Sequence, residues 1–189
     1  MAIQTLADIP REHARNHPDK IALRFEDRTW TFAELDRDAN RVAHALAAEG
    51  VAAGDRFAYL DKNSPEYFTY LFGGSKRNAV SVAVNWRLAP PEMEYIINNS
   101  ESKVLLIGAD FLGHLSKMNL ETVTRVVVIG SSEAYPSYAS WIAGHEESDP
   151  DLPADTSDTC YQLYTSGTTG LPKGVELTHD NFIFMLLAS

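Results

Sequence analysis

One cysteine, Cys160, stands in a chain of 189 residues, so no disulfide can form within it. A fold stapled by bridges is excluded, and the composition suits a reducing compartment; the expectation is a cytoplasmic protein. Positive charge is the next shortage. Sixteen Lys and Arg face 26 Asp and Glu, for a net charge of −10. That argues against a nucleic-acid-binding surface, which needs a basic patch, and against broad attraction to anionic membranes. A local basic groove remains compatible with the negative total. No apolar run approaches the roughly 20 residues of a membrane span. The first residues lack the basic segment and apolar core of a secretory signal. The sequence carries no internal repeats.

Hydrophobic residues make up 44% of the chain and aromatics 10%, enough for a sizeable core. Short β-branched or apolar runs alternate with segments of helical period. Residues 21–25, 56–60, 79–84, 103–107 and 126–129 read as strands. Asp27 and Arg28 read as a turn before Trp30. Thr31 and Glu34 form a capping-box pattern, and the helix they open places Leu35, Ala39, Val42, Ala43 and Leu46 on one face, ending near Gly50. Ser64-Pro65-Glu66 opens an aromatic helix through a cap, a proline in the first turn and an acid near the positive dipole end. Pro90-Pro91-Glu92 opens another, through Ile97, and residues 110–117 a short one. The alternation predicts an α/β fold: a mostly parallel sheet with flanking helices. Residues 130–158 break it with Gly, Ser, Pro and acids, and read as a solvated connection with a short helix around 138–143.

Between two further apolar stretches, 160–164 and 175–177, lies Tyr164-Thr165-Ser166-Gly167-Thr168-Thr169-Gly170-Leu171-Pro172-Lys173-Gly174. Glycines allow close approach to oxygen atoms, successive N–H groups can form an anion-binding concavity, hydroxyls add donors, and a lysine supplies a compact charge. These are the parts of a polyphosphate site. The spacing excludes a Walker loop, which needs a hydroxyl residue after its lysine and a helix beyond; here Gly174 follows Lys173, and Pro172 precedes it. A polar surface hairpin is the bland alternative. Cys160 reads as a small buried strand residue.

The ordered Thr-Ser-Gly-Thr-Thr-Gly-x-Pro-Lys-Gly resembles the phosphate-binding signature of adenylate-forming enzymes: acyl-CoA synthetases, aryl-CoA ligases, luciferases and amino-acid adenylation domains. The pair Thr168-Thr169 and the tail Val175-Glu176-Leu177-Thr178-His179 look more like the CoA-ligase branch. The opening from His17 to Leu23, Thr29 to Leu35, Asn63 to Glu66 and Val84 to Leu88 also resemble family landmarks. Asn85, Trp86 and Arg87 read as a strand end, an aromatic anchor and a surface or paired arginine.

The resemblance implies that Thr165, Ser166, Gly167, Thr168, Thr169, Gly170 and Lys173 hold the β- and γ-phosphates of ATP. It implies that Thr165 also contacts magnesium. His179 could orient the loop or be a capping or packed histidine, and Asp180 and Asn181 could cap the last helix. The implied reaction activates a carboxylic acid, in the fatty-acid branch, as an acyl-adenylate and passes it to CoA. On this resemblance the chain is a partial N-terminal AMP-binding domain (1–189), with a phosphate-binding hairpin at 160–178. The adenine, ribose and catalytic-lysine elements fall beyond Ser189, and the piece alone is expected to be inactive. The apolar run 182–189 is expected to be buried in a larger protein. A non-catalytic nucleotide-binding module and an amino-acid adenylation domain remain the alternatives.

Overall fold

A computed structural model describes residues 3–165 and 171–188. A short helix, α1 (Asp8–Asn16), precedes an antiparallel ribbon of β1 (Ile21–Phe25) and β2 (Arg28–Thr31). The ribbon turns at Glu26 and Asp27, not at Asp27 and Arg28 as expected; Glu26 takes the left-handed backbone conformation (φ 52°), and Arg28 is already paired with Phe25. Helix α2 (Phe32–Ala48) begins with the expected capping box: Thr31 Oγ1 accepts from the Glu34 N–H (3.2 Å) while the Glu34 carboxylate accepts from the Thr31 N–H (2.8 Å).

The main sheet follows: β3 (Arg56–Leu60), α3 (Pro65–Lys76), β4 (Val80–Ala83), α4 (Pro90–Asn99), β5 (Val104–Gly108), a 3₁₀ helix (Ala109–Lys117), β6 (Arg125–Ile129), α5 (Tyr138–Ile142), β7 (Thr159–Thr165), β8 (Lys173–Thr178) and α6 (His179–Leu187). Its strand order is β6-β5-β3-β4-β7-β8. All neighbours run parallel except β7 and β8, which form an antiparallel hairpin at the edge. The α/β fold with a mostly parallel, helix-flanked sheet is the one the alternation predicts. Residues 110–117 form a 3₁₀ run in place of the expected helix.

Side-chain alternation divides the core into two layers. Phe57, Tyr59, Val104, Leu106 and Val127 face α2, α3 and α5. Ala58, Leu60, Val82, Leu105, Ile107 and Val128 face α4 and the 3₁₀ run. Helix α3 packs through glycines on two sides: a Cβ on Gly73 would strike Val42 of α2, and one on Gly74 would overlap the Phe57 ring of β3. Phe57 is fully buried and edge-on to Tyr70, so it has nowhere to move. Gly74→Ala is therefore expected to cost about 3 kcal/mol through overpacking, read as a lower urea midpoint with an unchanged slope.

The acidic connection is more than a solvated stretch. Its short helix buries Tyr138, Trp141 and Ile142. Beyond it, Asp149 accepts two hydrogen bonds from the Arg11 guanidinium (2.7 and 2.8 Å) and one from Lys76 Nζ (2.6 Å). Lys76 Nζ, with its side chain fully buried, also lies 2.8 Å from Asp36. Glu147 pairs with Arg41. These acids face cations on three helices, α1, α2 and α3, and strap the connection across them.

Candidate functional site

In a parallel sheet the crevice forms where connections leave adjacent strands toward opposite faces. Here the chain leaves β3 through α3, on the face of α2 and α5, and leaves β4 through α4 on the other face. The carboxyl ends of β3 and β4 are therefore left uncovered. A cleft of about 340 Å³ opens at that point, bounded by Tyr59, Asp61 and Asn63 after β3, Asn85 and Trp86 after β4, and Tyr161, Leu163 and Tyr164 of β7. Asn63 belongs to one of the landmark runs, whereas the sequence signal for Asp61 is only its position just past a buried strand in an α/β alternation.

The cleft wall is aromatic and stiff. Tyr67 and Tyr161 share a hydroxyl–hydroxyl hydrogen bond of 2.8 Å, and the Tyr59 and Tyr67 rings meet edge-on at 5.0 Å. Burial raises the pKa of all three phenols, so they remain neutral donors and acceptors. Asp61 lies against Gly108, where a side chain would collide with its carboxylate. Burial, and behind it the charge of Asp110, raises the Asp61 pKa, while the Lys62 N–H donates to it at 2.7 Å.

The hairpin rises at the same edge. Thr165, the last residue of β7, and Lys173, the first of β8, are direct cross-strand partners, and both are exposed. The hydroxyl and the ammonium thus stand side by side, flanking residues 166–170. Glu176, the nearest acid along β8, is taken by Arg56 (2.6 Å). Ser166, Gly167, Thr168, Thr169 and Gly170 lie outside the described residues. Among the described residues no group of three or more His, Cys, Asp or Glu is arranged to hold a metal ion.

His179 is a packed histidine. It is fully buried, its Nδ1 accepts from the Leu6 N–H (3.1 Å), and its own N–H donates to the Asp158 carbonyl (3.1 Å). Burial lowers its pKa, which keeps it neutral. It ties the base of the hairpin to the N-terminal segment, at the opposite end of β8 from Lys173. The last helix is capped by Thr178 together with Asn181, while Asp180 binds Thr156 instead. Asn85 accepts from the Arg87 N–H (3.0 Å), and the Arg87 guanidinium lies over the Trp86 ring at 4.2 Å. Cys160 is buried in β7, as expected, and burial pushes its thiol up to about 12, so it stays protonated and packs as a small strand residue. Along α6, Ile183 packs inward, but Phe184 is 76% exposed and Met185 53%. No helix among the described residues is long and apolar enough to cross a membrane.

Residues 10–189 match the AMP-binding enzyme family. The chain is 44% identical to a fatty acid–[acyl-carrier-protein] ligase, ScoC, of Streptomyces coeruleorubidus, over 95% of its own length and 34% of that protein's. It is 35% identical to a feruloyl-CoA synthase of an Amycolatopsis species, over 96% of its length and 35% of that protein's. Among solved structures, the anthranilate CoA ligase AuaEII in complex with anthranoyl-AMP superposes with a TM-score of 0.91 at 32% identity, over 97% of this chain and 36% of that one. The chain thus spans about a third of the length of the relatives it matches. Its sheet, its edge hairpin and its signature run all agree with these likenesses: the chain belongs to the AMP-binding enzyme family, among relatives named as acid–thiol ligases.

Proposed function

We propose that the protein carries the phosphate-binding part of an ATP-dependent carboxylic acid:CoA ligase, with a fatty acid as the acid. The single observation that carries this reading is the pairing of Thr165 with Lys173 at the tip of the hairpin, beside the cleft at the carboxyl edge of the sheet. A hydroxyl residue and a lysine paired across the strands, leading into a Gly/Ser/Thr run, match the donors a polyphosphate chain needs. Residues 1–189 form part of an N-terminal AMP-binding domain, with 160–178 as its phosphate-binding hairpin.

In the first half-reaction a carboxylate oxygen attacks the α-phosphorus of ATP and pyrophosphate leaves. Lys173 and the hydroxyls of Thr165, Ser166, Thr168 and Thr169 neutralise and orient the leaving group, while Gly167 and Gly170 let the backbone come close. Such work is charge stabilisation by preplaced donors. Magnesium, when bound, shares the charge on the phosphate oxygens. Thr165 would offer it an oxygen ligand, the hard donor type that this ion takes. In the second half-reaction a thiol, that of CoA, attacks the acyl carbon and AMP leaves. The likeness to a fatty acid ligase at 44% identity supports the fatty-acid class over the aryl acids named for the other relatives.

The test is carboxylate-dependent exchange of pyrophosphate into ATP by protein from the complete reading frame, over a panel of fatty, aryl and amino acids. Exchange is expected with fatty acids. Exchange with amino acids alone would identify an amino-acid adenylation domain, and a folded protein that binds ATP without exchange would identify a non-catalytic module.

A further inference from the structure

Tyr164 opens the signature run, and its hydroxyl is engaged by a helix. It donates to Asn99 Oδ1 (2.7 Å), in the last turn of α4. Its ring stands edge-on to Tyr95, one turn back on the same helix, at 6.5 Å between centroids. From the other side Gln162 Nε2 donates to the same phenol oxygen (3.2 Å). Burial pushes the Tyr164 phenol up to about 12, so the oxygen keeps its proton, can donate to Asn99, and accepts from Gln162.

Gly174 is the cross-strand partner of Tyr164. A Cβ there would fall on Gln162 Nε2 and 3.1 Å from Tyr164 Cζ. The two β7 side chains therefore lie across the backbone of β8 one residue from Lys173, and glycine is what lets them. This matters because β8 is an edge strand: its hydrogen-bonded neighbour is β7 alone, and its first four residues are exposed. Two-stranded ribbons are marginal by themselves. At its far end the hairpin is held by His179 and the α6 cap; at its near end, where Thr165 and Lys173 stand, the described anchor to the sheet's helical layer is Tyr164 on Asn99.

We propose that Tyr164, bonded to Asn99 and lying over Gly174, is a positioning residue that fixes where the hairpin presents Thr165 and Lys173. The proposal rests on the phosphate-binding reading for its consequence but not for its geometry, and the test separates the two. Tyr164→Phe removes the phenol oxygen and keeps the ring on Tyr95. Asn99→Ala removes the acceptor from the other side, and Asn99→Asp restores one.

Amide hydrogen exchange on the 189-residue chain reads the geometry. In Tyr164→Phe and Asn99→Ala the β8 amides near Lys173 are expected to exchange about fivefold faster, one hydrogen bond's worth, with β3 and β5 unchanged; Asn99→Asp restores the slow rate. Unchanged exchange in β8 would overturn the proposal. Titration with ATP reads the consequence. Binding, measured well below the unfolding midpoint of each variant, is expected to weaken about fivefold in Tyr164→Phe. If Lys173→Ala weakens ATP binding and Tyr164→Phe does not, the positioning role fails and the phosphate reading stands. If β8 loosens but ATP binding is insensitive to Lys173→Ala, the clamp stands and the phosphate reading fails.

Discussion

Lys76→Met is expected to destabilise the protein by about 3–5 kcal/mol, the cost of stranding buried charge. The lysine side chain is fully buried, and two carboxylates, Asp36 at 2.8 Å and Asp149 at 2.6 Å, converge on its ammonium. Methionine fills the volume but removes the ammonium in contact with Asp36 and leaves Arg11 as the cation bonded to Asp149. Against a typical total of about 5–15 kcal/mol, a loss of this size leaves the fold marginal. The cluster also sets an acid limit. Burial pushes the Asp149 carboxyl up, but hydrogen bonds from Arg11 and Lys76 outweigh it and hold the group well below the usual carboxylate range. A group depressed in this way stabilises the fold fully above its unfolded pKa near 4, and that share is lost as pH falls toward the folded value. Urea midpoints for the native sequence and Asp149→Asn should therefore differ most at pH 7 and converge below about pH 4. A gap that stays constant down to pH 3 would show that Asp149 is not held as an ion.

Lys173→Ala is expected to lower carboxylate-dependent ATP–pyrophosphate exchange by about 10²–10³-fold, the scale of removing one preplaced electrostatic donor. The unfolding midpoint should not move, because the side chain is exposed at the edge of the sheet and Glu176 is already satisfied by Arg56. Lys173→Arg should recover only part of the activity, since a planar guanidinium does not reproduce a compact point charge. Adding Thr168→Ala should deepen the loss, again without unfolding. A collapse of stability with nucleotide handling intact would contradict the phosphate role of this lysine.

The sheet was legible because buried parallel strands announce themselves as β-branched runs, and Val104 to Gly108 is buried at every position. The hairpin was legible because glycines, hydroxyl residues and a lysine stand there in one ordered run between two apolar stretches. Other features depend on distance in space. Helix α1 shows few apolar residues and carries Pro10, which the first turn of a helix tolerates; it is fixed by Arg11 meeting Asp149, 138 positions away. The acidic connection resembled a solvated run because nothing local distinguishes Asp149 from its exposed neighbours. Ser64 begins α3, but its hydroxyl sits 3.3 Å from the Tyr59 phenol instead of capping the helix. The cleft was the hardest to see, since it is made by the order of the strands and not by any run of residues.

Strand order also has a consequence for how the chain is made. Ser81 of β4 pairs with Tyr161 of β7, eighty positions later, while β3 and β5 find each other in between. At synthesis rates of roughly 5–20 residues per second, the β4 edge stands open for on the order of ten seconds before its partner leaves the ribosome. That edge, Val80-Ser81-Val82-Ala83, is apolar and uncharged, the kind that recruits strands from other chains. The last piece to close it is β7, which bears Tyr161 and Tyr164 of the cleft and Thr165 of the hairpin. In the nascent protein, protection against mispairing and completion of the binding edge are thus one event.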